Sequence, residues 1–322
     1  MPRFNPHVAI ESPDALVPAP VVSVCLIAYN QSPYIGQSVR SILDQTLDVP
    51  FEVVVGDDGS DDGTWEILQG LQAASPDRVR LLRTTRRIGK AEDSARLNLL
   101  RNLHACRGTH VALLEGDDFW CVPGKLQAQW DALRSDPAAS LCSHLTENID
   151  QDGNHLQIFG AAGRATLDDY LFPYRMHTSS LFFRNFELPR SCVRDMFDLV
   201  LVGLMLQRGH AVILDQAMSV RRQTTSGIWA GLPARQRTDL VPKRATTLLR
   251  YFGRSSDGVR RFYLNAHLKR LKEAASLGGL LRVAAPVYFT YLRRTGKSPG
   301  KPFWDAFRAA RLRLRQSPGS RP

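Results

Sequence analysis

Residues 21–29 read VVSVCLIAY, an almost unbroken apolar run rich in β-branched side chains. A strand with one wet face alternates polar and apolar residues, whereas a run like this one suits a strand buried on both faces of a parallel sheet. FEVVVG (51–56) repeats the pattern, and VRLLR (79–83) and HVALLE (110–115) read as a third and fourth strand. Between them the periodicity is helical. Ile35, Val39, Ile42 and Leu43 follow Ser32 and Pro33, which predict an N-cap and a first-turn proline; further helices are expected over Thr64 to Leu71 and about Lys90 to Cys106, the latter ended by Gly108. Strands alternating with helices at this spacing predict an α/β fold with a mostly parallel sheet, which binds ligands at the carboxyl edge of its strands.

Downstream, a helix is expected from Pro123 to about Arg134, strands over 139–149 and 176–184, a helix from Phe197 to Gln207 ended by Gly209, and a strand pair at 211–215 and 217–222. From about residue 231 the pattern changes to helices rich in Arg, Leu and aromatic residues, including Val259 to Ala275 and Pro302 to Arg315. Charge changes at the same place. Residues 231–322 hold 21 Lys and Arg against 4 Asp and Glu, or +17, while the first 230 hold 21 against 27, or −6. The expected organisation is therefore a loose proline-rich leader (1–20), a catalytic domain (21–230) and a basic, mainly helical C-terminal region (231–322). The leader lacks the basic start and apolar run of a secretory signal, and the apolar stretch Leu277 to Leu292 is broken by Arg282 and Pro286 and falls short of the roughly 20 residues that span a bilayer. Five cysteines without a CxxC pair read as buried thiols of a reducing compartment.

Two acidic clusters follow directly on strands of the same sheet. VVVGDDGSDDGT (53–64) sets Asp57 and Asp58 at a strand end, where a carboxylate can accept hydrogen bonds from a base or ribose or simply cap the turn. HVALLEGDDFW (110–120) sets Glu115, Asp117 and Asp118 within four residues at the mouth of a buried strand. Three such carboxylates repel one another unless they are solvated or bound to a cation, and hard oxygen donors favour Mg²⁺ or Mn²⁺, which bridges the phosphates of a diphosphate leaving group. The plain alternative is an exposed acidic turn with Phe119 and Trp120 packed beneath it.

VSVCLIAYN, VVVGDDGSDDGT and ALLEGDDFW together resemble the family 2 glycosyltransferases over about residues 21–230. The resemblance implies the Rossmann-like sheet of the A-type nucleotide-sugar transferase fold. It implies that Ala28 and Tyr29 line the base, that Asp58 contacts the nucleoside, that Arg96 and Asn98 lie near the donor, and that Asp117 holds the metal, with Glu115 in place of the usual first Asp of a DxD motif. It also assigns the catalytic base to Asp198, at the head of the helix before Gly209, with Asp195 as the alternative; Asp198 as a simple helix N-cap stays open. SVRRQTTSGIW (219–229) resembles the family's late YRxHxGGxW segment at Arg222, Gly227 and Trp229, but Thr224 stands where many members carry a metal-shell His. His177 is either structural or turned toward the acceptor.

The implied reaction is an inverting transfer from a nucleotide diphosphate sugar to a hydroxyl of a saccharide or lipid-linked acceptor, as in bacterial surface polysaccharide assembly. The basic C-terminal region implies an anionic membrane surface as partner, and hence a cytoplasmic enzyme peripheral to the inner face of the membrane. No nucleic-acid module is recognisable. A nucleotidyltransferase is the rival among enzymes, although Ala28-Tyr29-Asn30-Gln31 is not a Gly-rich basic phosphate loop. A non-catalytic membrane-surface adaptor is the rival outside them.

Overall fold

The computed structural model describes residues 8–11, 17–84, 87, 91–171, 175–224, 234–274 and 276–316. The chain divides into two compact units, Met1–Thr166 with Tyr174–Gly231, and Leu167–Pro173 with Leu232–Pro322.

In the first unit the elements run β1 (Val8–Glu11), β2 (Val22–Ala28), α1 (Ile35–Leu43), β3 (Phe51–Asp57), α2 (Thr64–Ala74), β4 (Val79–Thr84), α3 (Ala91–Ala105), β5 (His110–Glu115) and β6 (Phe119–Trp120). They continue as α4 (Lys125–Ser135), β7 (Ala139–Ile149), β8 (His155–Phe159), β9 (Gly163–Ala165), β10 (Phe182–Arg184), α5 (Asp198–Leu206) and β11 (His210–Arg222). The eleven strands form one sheet of order β1-β4-β3-β2-β5-β10-β7-β11-β6, with β8 beside β7 and β9 beside β11. Pairing is parallel through β4-β3-β2-β5 and again between β7 and β11, and antiparallel β10 joins the two parallel blocks. This is the α/β architecture expected, and the parallel block is what positions the site. Its register sets Ala28 opposite Asp57 and Ile27 opposite Glu115, so both acidic strand ends open on one sheet edge.

The central strands are apolar on both sides because both sides are covered. Val22, Val24, Leu26 and Ala28 face Ile35, Val39 and Ile42 of α1 and Trp65 and Leu68 of α2 in one continuous core. On the other face α3 lies so close to β3 that a Cβ on Gly56 would come within 2.2 Å of Asn102 Nδ2 and 2.5 Å of Asn98 Oδ1. Only a glycine allows that approach. Full burial of each Val or Leu here contributes about 1.5–3 kcal/mol.

Four local expectations are corrected. Val8–Glu11 is part of the stretch read as a loose leader, yet it pairs antiparallel with β4 from Val8 opposite Thr84 to Glu11 opposite Leu81. The pairing satisfies backbone groups that β4 would otherwise present unpaired at this sheet edge. Ser32 and Pro33 do not cap α1, whose N-cap is Tyr34 without a side-chain bond; the Ser32 amide instead donates to Asp62 Oδ2 at 3.0 Å and ties this loop to the acidic turn after β3. Residues 176–184 are a short 3₁₀ turn, Thr178–Ser180, followed by β10 rather than one strand. Residues 211–222 belong to one strand with a register shift near Ala217.

The second unit is helical: α6 (Ala234–Phe252), α7 (Asp257–Lys272), α8 (Leu277–Thr295) and α9 (Lys301–Gln316). Leu249, Tyr263, Leu271, Leu280, Val287, Tyr291 and Phe303 form its own core. Ser276 caps α8 through Gly279 N–H at 3.0 Å, and Gly296 ends it at φ 70°. Among the described residues no helix is long and apolar enough to cross a membrane.

Candidate active site

The ends of β2 and β3 build the first half of the site. Asp57 turns back on its own loop, accepting Ser60 N–H at 3.1 Å and the Ser60 hydroxyl, and burial raises its carboxyl above the usual range. The turn-capping role therefore falls to Asp57. Asp58 points elsewhere: it accepts Arg87 Nε–H at 3.0 Å and the Ser94 hydroxyl at 2.8 Å. The same Arg87 guanidinium lies 3.6 Å from the centre of the Tyr29 ring. Arg87 thus stacks on the face of Tyr29 while its Nε–H pairs with Asp58, setting an aromatic ring, a cation and a carboxylate together at this strand end, groups suited to a base and ribose. Arg87 carried no recognisable motif in the sequence.

Asn98 is corrected. It is 3% exposed, and its amide donates to the Gly56 carbonyl at 2.8 Å, so it fastens α3 to β3 instead of facing a donor. The helical period explains this, because Ser94, Asn98 and Asn102 recur every fourth residue on the face that meets the sheet. Arg96 lies on another face, with Nη1 donating to the Val193 carbonyl at 2.8 Å and Nη2 2.8 Å from Asp93. It braces the segment that leads to Asp195 and Asp198.

The end of β5 builds the second half. A Cβ on Gly116 would meet Gln31 Oε1 at 2.2 Å and Ile35 Cδ1 at 2.9 Å, so any side chain there would displace both of these side-chain ends. The Ser38 hydroxyl of α1 lies 2.7 Å from the Gly116 carbonyl and so helps hold the acidic loop. Burial, then the charge of Asp117, pushes the Glu115 carboxyl up to about 8; Asp198 adds to this and Arg221 opposes it. Burial raises Asp117 as well, and burial with the charges of Asp117 and Glu115 raises Asp118 well above the carboxylate range. Asp118 Oδ1 accepts the Arg222 main-chain N–H at 3.0 Å, whereas Asp118 Oδ2 is buried with no hydrogen-bond partner among the described residues. His177 Nδ1 stands 3.8 Å from that oxygen.

A buried acid elsewhere shows what pairing looks like in this chain. Glu52, fully buried, accepts the Ser23 hydroxyl at 2.8 Å and Arg107 N–H groups at 2.8 and 2.9 Å. Among the described residues the β5 cluster has no such set of partners, and hard carboxylate donors around an unbonded, buried oxygen fit a divalent cation. One oxygen of Glu115, one of Asp118 and one nitrogen of His177 lie within 4.8 Å of one another. The sequence pointed to Glu115 and Asp117 as the metal pair; the geometry also brings one donor each of Asp118 and His177 to Glu115, with Asp117 in the same loop.

Asp198 is the first residue of α5 and not its N-cap, which is Phe197. Its charge acts on Glu115. Asp195 closes the preceding 3₁₀ turn, Arg190–Asp195. Arg222 donates Nη1 to the Asp117 carbonyl at 2.6 Å and bonds Gln37, making it a brace of the acidic loop. Its neighbour Arg221 acts on Glu115, Asp117, Asp118 and His177 alike. Sequence reading missed Arg221, which stands beside the Arg222 singled out in SVRRQTTSGIW. Thr224 is buried at the end of this segment; Gly227 and Trp229 lie outside the described residues.

The glycosyl transferase family 2 model matches residues 23–187, just over half of the 322-residue chain, and the chain belongs to that family. It is 29% identical over 221 residues to an uncharacterized protein of Mycobacterium tuberculosis, covering 65% of this chain and 60% of that one. The chain thus spans about three fifths of that relative's length. It is 37% identical over 136 residues to the chondroitin synthase of Escherichia coli, covering 42% of this chain and 18% of that one. It is 32% identical over 155 residues to the putative teichuronic acid biosynthesis glycosyltransferase TuaG of Bacillus subtilis, covering 47% and 57%. The fold is similar to that of S. aureus TarS 1–349, with a TM-score of 0.53, 17% identity and 93% of each chain covered.

Proposed function

We propose that this chain is a metal-dependent, inverting glycosyltransferase that moves a sugar from a nucleotide diphosphate donor to a hydroxyl of a saccharide or lipid-linked acceptor in bacterial surface polysaccharide or glycolipid assembly. The observation that carries it is one sheet edge holding both the Tyr29–Arg87–Asp58 group and the Glu115–Asp117–Asp118 cluster, with the Asp198 charge reaching Glu115. Relatives named as polysaccharide-building enzymes support the substrate class.

In this reading the base stacks by Ala28 and Tyr29, and Asp58 accepts from the nucleoside. Glu115, with Asp117 and Asp118, would hold Mg²⁺ or Mn²⁺, which when bound neutralises charge on the diphosphate leaving group. Arg221 adds a fixed positive charge on the same side. Asp198 takes the proton of the acceptor hydroxyl as its oxygen bonds to the anomeric carbon; the bond from that carbon to the diphosphate breaks on the opposite face. Arg96 acts at one remove, by bracing the segment that carries Asp198. A screen of nucleotide sugars for turnover dependent on Mg²⁺ or Mn²⁺ tests this directly. Turnover unchanged by a chelator, or transfer of a nucleotidyl group in place of a sugar, would overturn it.

The C-terminal unit carries its own proposal, peripheral docking on an anionic, inner membrane face. Leu281, Phe289 and Leu292 are 50%, 63% and 38% exposed along one side of α8, with Arg282 and Arg293 exposed beside them. Trp304 of α9, itself 39% exposed, packs 5.5 Å from Tyr288 next to Phe289. An apolar stripe edged by arginine suits the headgroup region, where each basic side chain contributes about 1 kcal/mol.

A further inference from the structure

We propose that His177 is a direct nitrogen ligand of the divalent cation, completing a Glu115–Asp118–His177 set that makes the site selective for Mn²⁺ over Mg²⁺. This rests on the metal-dependent reading above and deepens it. The segment 219–229, SVRRQTTSGIW, contains no histidine, so no imidazole reaches the cluster from there.

Three observations converge. The first is position. Ligands about 2.1 Å from an octahedral ion lie roughly 3–4.2 Å from one another. One atom each from Glu115, Asp118 and His177 already lie within 4.8 Å of one another, and His177 Nδ1 is 3.8 Å from Asp118 Oδ2. That 3.8 Å is too long for a hydrogen bond, so imidazole and carboxylate face each other across an unbridged gap.

The second is the orphaned oxygen. Asp118 is 1% exposed, its Oδ1 is engaged by Arg222 N–H, and its Oδ2 is the atom turned to His177. Leaving a buried carboxylate oxygen unpaired is costly, and a cation between it and the imidazole removes that cost.

The third is preparation of the ring. His177 is the N-cap of the Thr178–Ser180 turn, which seats the ring beside the cluster with Nδ1 2.8 Å from Ser179 Oγ. Ligation through Nδ1 exchanges both Ser179 contacts, Oγ at 2.8 Å and N–H at 3.3 Å, for the ion. An imidazole beside two carboxylates favours first-row transition ions over Mg²⁺.

The test uses full-length protein and Mn²⁺ alone. Pulsed EPR of the Mn²⁺-loaded wild type should show coupling to a directly bound ¹⁴N nucleus, converted to the ¹⁵N pattern by histidine labelling. That measurement needs no variant. His177→Gln, checked for fold by circular dichroism, should lose the coupling and bind Mn²⁺ at least about tenfold more weakly, with Mg²⁺ affinity changed less. Mn²⁺ bound without nitrogen coupling would leave the metal site standing and remove His177 from it. Coupling that persists in His177→Gln would assign the nitrogen to another residue. No Mn²⁺ binding by the wild type would overturn both the metal reading and this inference.

Discussion

Asp118 Oδ1 accepts the main-chain N–H of Arg222 at 3.0 Å, joining the loop after β5 to the end of β11. Arg222 returns a second bond through Nη1 to the Asp117 carbonyl at 2.6 Å, so a single arginine clamps the backbone of the acidic loop. Arg222→Ala should therefore lower activity by displacing carboxylates, and Arg222→Lys should not rescue it, because an ammonium lacks the planar fork. Thermal unfolding with and without Mn²⁺ checks this: stabilisation by the ion should shrink in both variants.

Asp198→Asn should reduce turnover roughly 10²- to 10⁴-fold with donor affinity little changed, as expected on losing a positioned base. Calorimetric titration of nucleoside diphosphate beside steady-state rates separates the two effects. A larger turnover loss in Asp195→Asn would move the base to that residue.

Glu115 gives a pH signature with a definite sign. Its carboxyl lies near 4.5 when unperturbed and at about 8 in the fold. A raised folded value means that the contribution of this group to stability is fully present below about pH 4.5 and is lost as pH climbs through 8. Urea titrations should show wild type losing stability relative to Glu115→Gln across that window, and saturating Mn²⁺ should flatten the difference by favouring the ionised form. Equal pH profiles for the two proteins would remove Glu115 from the cluster.

Asp117→Asn should abolish divalent-cation-dependent turnover while leaving the fold intact. Full activity of that variant with Mg²⁺ or Mn²⁺ would show that Asp117 is only a neighbouring charge, which circular dichroism and turnover measured side by side would establish.

Vesicle sedimentation addresses the helical unit. Full-length protein should pellet with anionic vesicles at low salt and release at high salt, and Phe289→Ser with Trp304→Ser should weaken binding by about tenfold. Binding unchanged by the double substitution would transfer the docking role away from this stripe.

Some of this was legible in residue order alone. The apolar runs 21–29 and 51–56 predicted strands buried on both faces because a parallel sheet leaves no face wet, and acids following such strands must emerge at its carboxyl edge. Local chemistry thus determined the sheet, the edge and the two acidic turns. Tertiary structure decided what each acid does. Asp57 and Asp58 are neighbours in sequence, yet one caps its turn and the other meets Arg87, a partner 29 residues away. Asn98 followed the face of α3 into the core because helix rotation, not motif membership, aims a side chain. His177 and Arg221 reach the β5 cluster from segments far along the chain, through strand pairing that no local pattern encodes. Periodicity reports which face of an element is buried; it is silent on which distant element supplies the opposite charge, because that is set by sheet order and register.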